Sequence, residues 1–423
     1  MSHPLATLVL LLVASSGALA QDQPDLSWFG RPAPPPQLSE EQDSPQRGLN
    51  PLESLATGIL GGEQPLGRAF NGALHYGVML DMVGEFSEAD NVDRLNTLRL
   101  RSFEFHGAGE LSGVGDAYVV ADLADGGSGS EFVLREAAAW FSGLPGGLRL
   151  RAGKYYADIG AWNKVYVSDL PSLNIDGTRR AYFGGNLALT GLEIHGGRSR
   201  DGFGWSIGLA GDIESQDPDV PENGTSRISG PGSRTGIKNW AGTARLQMGH
   251  PELMFGLSTY FSPGEMHETV EGVLELETMI SGIDLSSFRR LGGQRWRQWS
   301  MEAWLKQGDT YVEQLLPVPM VVELPDESAF GWWGQLAYGL NATWSLGALA
   351  SSWEHFSSVT DARGHYLSSF ADHAFGPSHR LRFSFSHVNP GPGIQKFYAV
   401  GVHWTLGFGA PRTTRYHRRP RSE

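Results

Sequence analysis

The feature that most constrains the fold is a two-residue period of apolar side chains, which recurs along the chain after residue 70. Near the C-terminus every second residue is apolar over a long stretch: Tyr398, Val400, Val402, Trp404, Leu406 and Phe408. Successive side chains of a β-strand point to opposite faces, so this pattern predicts strands with one apolar face and one polar or small face. The pattern predicts about 14 strands, many of them longer than the usual five or six residues.

The composition agrees with an extended all-β protein. The 423 residues include 56 Gly, 13 Trp, 12 Tyr and 20 Phe, whereas only 19% are charged. A mean hydropathy of −0.25 excludes a helical membrane protein. The net charge of −13 argues against a nucleic-acid binder, which needs a basic face. The absence of cysteine excludes disulfides, zinc–thiolate sites and cysteine nucleophiles.

Two local patterns carry more specific expectations. The apolar alternation that ends at Leu100 resumes out of phase at Phe103, which predicts a β-bulge near Arg101 and Ser102. The segment 265–290 is predicted to hold a short amphipathic helix within a long loop.

Two all-β architectures fit the alternation: a secreted sandwich or propeller, and a membrane barrel. Sandwich strands are usually short, whereas barrel strands need about 9–11 residues and aromatic side chains at both lipid boundaries. Aromatic residues stand near many predicted strand ends: Phe70, Phe86, Trp140, Phe141, Trp205, Tyr260, Phe261, Trp344, Trp353, Trp404 and Phe408. The sequence therefore favours a single antiparallel transmembrane β-barrel of about 14 strands (12–16) over residues 70–408.

The two ends of the chain differ from the alternating region. Residues 5–14 form an apolar run before the small-residue site Ala18-Leu19-Ala20, which predicts an exported protein with a signal peptide over 1–20. Residues 21–69 are proline-rich and are predicted to form an extended periplasmic lead. Residues 409–423 carry five arginines and are predicted to form a basic tail.

Polar positions that alternate with the lipid-facing residues are expected to face the lumen. This parity predicts that Arg99, Arg101, Arg149, Arg151, Arg245 and Arg382 line the pore and set its selectivity, and the basic residue Lys154 is assigned to the same set. Fixed positive charges in a narrow wet pore favour anions. In the alternative interpretation these arginines pair with inward carboxylates such as Glu104, Glu193 and Glu302, and brace the wall.

The connection 155–185 is the candidate constriction. A connection this long without regular structure is uncommon unless it is functional or disordered. The predicted constriction residues are Asp158, Trp162, Asn163, Lys164, Asp169, Arg179 and Arg180. An ordinary external loop is the alternative.

The same region carries a family resemblance. The segments RAGKYYADIGAWN and SDLPSLN, followed by GLEI, resemble the phosphate-selective porin O and P family over about fifty residues. The resemblance implies an outer-membrane barrel that passes small anionic solutes, an inward loop that narrows the lumen, and assembly as a homo-oligomer. It does not imply phosphate as the solute, because the lysine ladder of such a pore is missing. The residues that follow Phe408 also depart from the aromatic terminus usual in such barrels.

No motif typical of an enzyme or a metal site is present. The patterns G-x-S-x-G, H-E-x-x-H and the phosphate loop are absent. The histidines of 353–379 lack tight ligand spacing. We expect no catalytic residues, no cofactor and no metal.

These observations predict a porin in the outer membrane of a Gram-negative-type bacterium. It would pass small hydrophilic solutes by diffusion, with a preference for anions. Its partners would be outer-membrane lipid, the solutes and further copies of the chain, and not nucleic acid. The alternatives are a closed barrel with a structural or adhesive role and a barrel-borne hydrolase.

Overall fold

The computed structural model describes most of residues 75–409. Within that range the residues outside the description are 90–94, 112–114, 126–129, 142–143, 171–175, 199–201, 216–239, 251, 270–271, 293, 315–319, 355–362, 377–378 and 392–395. The predicted signal peptide, the proline-rich lead and the tail beyond Gly409 lie outside the described residues and stay predictions.

The described residues form sixteen antiparallel strands that close into one barrel. The strands are β1 His75–Ala89, β2 Leu95–Leu111, β3 Gly115–Asp125, β4 Ser130–Phe141, β5 Arg149–Tyr156, β6 Leu187–Arg198, β7 Phe203–Ser215, β8 Ala241–His250, β9 Leu253–Thr269, β10 Gly272–Gly292, β11 Arg295–Gln314, β12 Met320–Gly339, β13 Trp344–Glu354, β14 Arg363–Ala374, β15 His379–Asn389 and β16 Phe397–Gly409. Each strand pairs with its neighbours in sequence, and β1 pairs with β16. The barrel prediction is confirmed, but the estimate of about 14 strands was low.

The segment 265–290 was predicted to contain a helix, and this prediction was wrong. Residues of this segment belong to β9 and β10, which pair from Gly272 opposite Thr269 to Leu276 opposite Glu265 and continue into the barrel wall. Alternating Leu, Glu and β-branched residues suit a strand, and the pairing partner decides between the two interpretations.

The connections define two ends of the barrel. Short turns join β2 to β3, β8 to β9 and β12 to β13, and both β1 and β16 have their chain termini at this same end. Longer connections, including 157–186 between β5 and β6, lie at the other end.

Alternation sorts the side chains into an outer apolar face and an inner polar face. On β14, Leu367 is 57% exposed and the adjacent Ser368 is 1% exposed. On β16, Trp404 is exposed while His403 is buried. The predicted bulge is confirmed, since Asp81 pairs with Ser102 and Met82 with Leu100, which leaves Arg101 as the extra residue.

The long connection between β5 and β6 folds into the barrel. It contains a helix, α1, over Gly177–Phe183, and almost all of its described residues are buried. In the described part of the chain, no helix is both long enough and apolar enough to cross a membrane. The predicted inward loop is therefore present, and the interpretation of 155–185 as an ordinary external loop was wrong.

Candidate functional site: the inward loop and the lumen wall

β5 ends in an R-x-G-K-Y-Y sequence, after which the chain enters the lumen. Arg149 and Arg151 face inward and are buried. Gly153 has φ of +121°, and a Cβ there would lie 2.3 Å from the carbonyl oxygen of Ala137, so glycine is required. The chain leaves the wall after Tyr156 and turns across the interior.

The base of the inward loop is held by Asp158. Its carboxylate accepts hydrogen bonds from Lys164 and, at 3.0 Å, from the hydroxyl of Ser206 on β7, and lies 3.9 Å from Arg245 on β8. Its backbone N–H donates to Glu193 on β6 at 3.1 Å. Burial alone would raise the pKa of Asp158, but Lys164 and Arg245 hold this pKa well below its usual range.

Two asparagines tie the two ends of the loop together. Asn163 donates to the carbonyls of Ala157 (2.9 Å) and Leu187 (3.0 Å), and its side-chain oxygen accepts from the Leu187 N–H at 2.8 Å. Asn186 donates to the carbonyls of Asn163 (2.7 Å) and Val165 (2.9 Å). These bonds satisfy backbone groups that would otherwise be buried without partners.

Soon after it leaves β5, the loop meets the far wall at Glu302 of β11. The Glu302 carboxylate accepts from the N–H groups of Ala161 (2.7 Å) and Trp162 (2.9 Å). It also accepts from the indole N–H groups of Trp304 (3.0 Å) and Trp333 (3.1 Å). The ring of Trp162 lies edge-on to that of Trp333, with centroids 5.2 Å apart.

The tip of the loop reaches β15 and β4. Asp169 forms an ion pair with Arg380 at 2.5 Å, and Arg382 donates to the Leu170 carbonyl. On the other side, the Tyr166 hydroxyl donates to Glu136 of β4. Burial and the neighbouring Glu136 raise the pKa of Tyr166 well above its usual value, so its hydroxyl stays protonated.

Helix α1 returns the chain along β12 and β13. Asp176 caps its N-terminus by accepting from the N–H (2.9 Å) and the side chain (2.7 Å) of Arg179, which also donates to the Trp162 carbonyl at 2.7 Å. Thr178 donates to the carbonyls of Trp332 (2.9 Å) and Ser352 (3.3 Å). Arg180 is half-buried beside them.

An apolar core lies between the loop and the wall. The largest buried cluster joins loop residues such as Ile159, Tyr182 and Phe183 to wall residues such as Trp304 and Trp353. Phe183 packs edge-on against Trp304 with centroids 4.9 Å apart. The loop is thus packed as a small domain inside the barrel, and leaving the wall would expose this cluster.

The opposite wall, formed by β16, β1 and β2, has a different interior. We call it the seam wall, and call β9–β13 the loop-bearing wall. On the seam wall the Arg101 guanidinium donates to Asp81 at 2.7 Å and lies 3.5 Å from His403. All three side chains are 2% exposed or less, and they contact one another across neighbouring strands.

The predicted arginines do not share one environment. Arg101, Arg151, Arg245 and Arg382 face carboxylates of Asp81, Glu193, Asp284 and Asp372 respectively. The Arg149 guanidinium lies over the ring of Trp140, 4.4 Å from its centroid. Arg99 is half-buried opposite Val83.

Lys154 was wrongly placed in the pore-lining set. The register sets it beside Ala137 and the exposed Thr190, one residue out of phase with the inward Arg151. Strand alternation therefore puts Lys154 on the outer face.

Three aromatic residues were also misassigned by the sequence. Trp140, Tyr260 and Trp353 were predicted at lipid boundaries, but they are 1%, 0% and 4% exposed and lie inside. Trp353 packs directly on Gly177, where a Cβ would come 1.9 Å from its ring. A large aromatic side chain on the inward parity is the signal that could have located this core.

Comparisons with solved structures place the fold among outer-membrane porin barrels. An anion-selective porin from Comamonas acidovorans superposes with a TM-score of 0.54 at 12% identity, covering 79% of this chain and 99% of that one. OmpT, an outer membrane protein of Vibrio cholerae, gives 0.52 at 10% identity, covering 82% and 100%. OmpF of Salmonella typhi, solved with daunomycin, gives 0.50 at 10% identity, covering 79% and 98%.

The sequence comparisons add no family to this fold. No family model and no curated protein sequence matches the chain. The resemblance to the phosphate-selective porin O and P family therefore stays a prediction.

Proposed function

We propose that this chain is an outer-membrane porin that lets small hydrophilic solutes diffuse through a lumen narrowed by the loop 157–186. The observation that carries the proposal is a porin-type closed barrel with an inward loop fixed to its inner wall. The mechanism is steric sieving and the field of lumen charges, with no chemical step. No catalytic residue, cofactor or metal is proposed.

The outer face supports the proposed location in an outer membrane. Exposed apolar side chains such as Leu367, Phe385 and Trp404 suit contact with lipid tails. Export by the predicted signal peptide and assembly as a homo-oligomer belong to the same proposal. One of the similar structures, OmpT of Vibrio cholerae, is described in a trimer form.

The inward arginines bear on the charge preference of the pore. The anion-selective porin among the similar structures and the inward arginines support a weak preference for small anions. The pairing of Arg101, Arg151 and Arg245 with carboxylates supports the bracing interpretation instead.

A closed barrel with a structural or adhesive role is the second candidate. The observation that favours it is the apolar cluster that joins the loop to the wall, together with nearly complete burial of Asp81, Arg101 and His403. Such packing leaves those side chains little contact with solvent.

Single-channel current in a planar bilayer separates the two candidates. Discrete current steps from refolded protein are expected for a porin, and the reversal potential under a salt gradient gives the sign of selectivity. Silence from protein shown to be folded would favour the closed barrel. Arg149→Ala combined with Arg151→Ala should reduce anion preference, and an unchanged reversal potential would remove these residues from the filter.

A further inference from the structure

Glu302 is notable because its carboxylate accepts hydrogen bonds from the loop and from the wall at the same time. It is 1% exposed. One oxygen accepts hydrogen bonds from two consecutive backbone N–H groups of the loop. The other accepts hydrogen bonds from the indole N–H groups of Trp304 and Trp333. All four donors are uncharged, so the carboxylate acts here as a hydrogen-bonding hub.

The loop backbone is shaped for this contact. Gly160, the residue before the two N–H donors, has φ of +56°, a conformation that favours glycine. A Cβ at Gly160 would lie 2.8 Å from both carboxylate oxygens of Glu302 and 2.8 Å from the ring of Trp304. The Gly160 N–H donates to Ser258 at 3.0 Å, which holds the turn against β9 as well.

The loop has further contacts before and after Ala161 and Trp162. Asp158 holds the base, Asn163 and Asn186 join the two ends, and Arg380 binds the tip at Asp169. Glu302 holds Ala161 and Trp162, soon after the loop leaves β5, at the wall opposite β2 and β3 in the order of strands around the barrel. Loss of this contact would free the segment that crosses the lumen while the base stays in place.

We propose that Glu302 is the positioning residue that clamps the inward loop to the loop-bearing wall and so sets the width of the solute path. The inference rests on the proposed porin function. Glu302 acts through the position of Ala161 and Trp162, without contacting the solute itself.

The test removes the contact by a substitution in the wall and, separately, by a substitution in the loop. Glu302→Ala removes the acceptor from the wall, and Gly160→Ala pushes the loop away without changing the wall. Asp122→Ala is the matched control, because Asp122 is a buried carboxylate whose hydrogen bonds go to Ser102 and Arg135 of the wall. Glu302→Gln keeps one oxygen for the two backbone donors and is the conservative rescue.

Two readouts are measured on each refolded protein: single-channel conductance, and amide hydrogen exchange of peptides covering 157–170. Glu302→Ala and Gly160→Ala should each raise conductance by about twofold or more and speed exchange of this segment, since the narrowing element is released. Asp122→Ala should change neither, and Glu302→Gln should fall between wild type and Glu302→Ala.

The outcomes distinguish this inference from the proposed function. If wild type is silent but Glu302→Ala conducts, the clamp is supported and the wild-type barrel is closed, against the proposed function. If wild type conducts and both clamp variants keep its conductance, the clamp is overturned and the porin stands. Equal loosening in Asp122→Ala, or faster exchange with no current in any variant, also overturns the clamp.

Discussion

The seam wall and the loop-bearing wall both bury charged side chains, but these side chains have different partners. On the seam wall, Asp81 and Arg101 satisfy each other across neighbouring strands. On the loop-bearing wall, Glu302 accepts backbone N–H groups of the loop. The inward position of a charged side chain therefore does not show whether it selects ions or stabilises the wall. Its role depends on whether its partner lies on a neighbouring strand or on the loop.

The largest contrast between the walls should come from their apolar content. Trp304→Ala removes a ring that packs against Phe183 and donates to Glu302, and should lower the free energy of unfolding by about 4 kcal/mol. Val83→Ala, a buried seam-wall truncation, should cost clearly less. Urea titrations of both variants in detergent micelles measure this, and equal losses would contradict the contrast.

A smaller effect is expected at the base of the loop. Asp158→Asn should lower the free energy of unfolding by about 3 kcal/mol at pH 7, because Lys164 loses its charged partner Asp158, while Arg245 keeps its ion pair with Asp284. Since the pKa of Asp158 is lowered in the folded state, its stabilisation is complete above the ordinary carboxyl pKa of about 3.9 and is lost as the pH falls through the folded value.

The pH series gives this prediction its own control. The difference between wild type and Asp158→Asn should stay constant from pH 8 to 5 and shrink below about pH 4, measured by urea titration at each pH. A difference that already vanishes near neutral pH would mean that the Asp158 carboxyl is not held ionised by its neighbours.

One contact links the loop tip to β4, near the seam wall. Tyr166→Phe removes the hydrogen bond to Glu136 and should cost about 2 kcal/mol, since the acceptor is a buried carboxylate. Hydrogen exchange around 165–170 should rise while the segment around Ala161 stays protected. Uniform loosening of the whole loop would show that its anchors do not act separately.

The smallest effect is expected for neutral hydrogen bonds. Thr178→Val removes the donor to the carbonyls of Trp332 and Ser352 with little change of shape, and should cost about 1 kcal/mol. Ser102→Ala on β2 removes a donor to the Asp122 carboxylate and should cost at least as much. Urea midpoints compare the pair, and a larger loss at Thr178 would show that α1 depends on this one hydroxyl.

The sequence predicted what local periodicity controls. The strands, their outer faces and the bulge at Arg101 follow from alternation alone. Lys154 was misassigned because the set was chosen by charge and a one-residue phase decides the face. The strand number was underestimated because alternation inside 265–290 is as compatible with a helix as with a hairpin.

The partners of the loop could not be predicted from the sequence. Glu302 lies 141 positions after Ala161 and 140 after Trp162, and only barrel closure brings these residues together. The aromatic core depends on the same closure, since Trp353 meets Gly177 only when β13 stands opposite the loop. The local sequence pattern does not indicate which residues far apart in the chain come into contact.

The order of the loop and its anchors along the chain has a kinetic consequence. The loop is made early, but its anchors on β11 and β15 come later, with Arg382 lying 212 residues beyond Leu170. Closing such long segments is slow, because the entropic cost precedes the contacts that offset it. We therefore expect the loop to be among the last parts of the molecule to reach its final position, and a barrel arrested before β15 docks would lack the contacts of Asp169 and Leu170 with this strand.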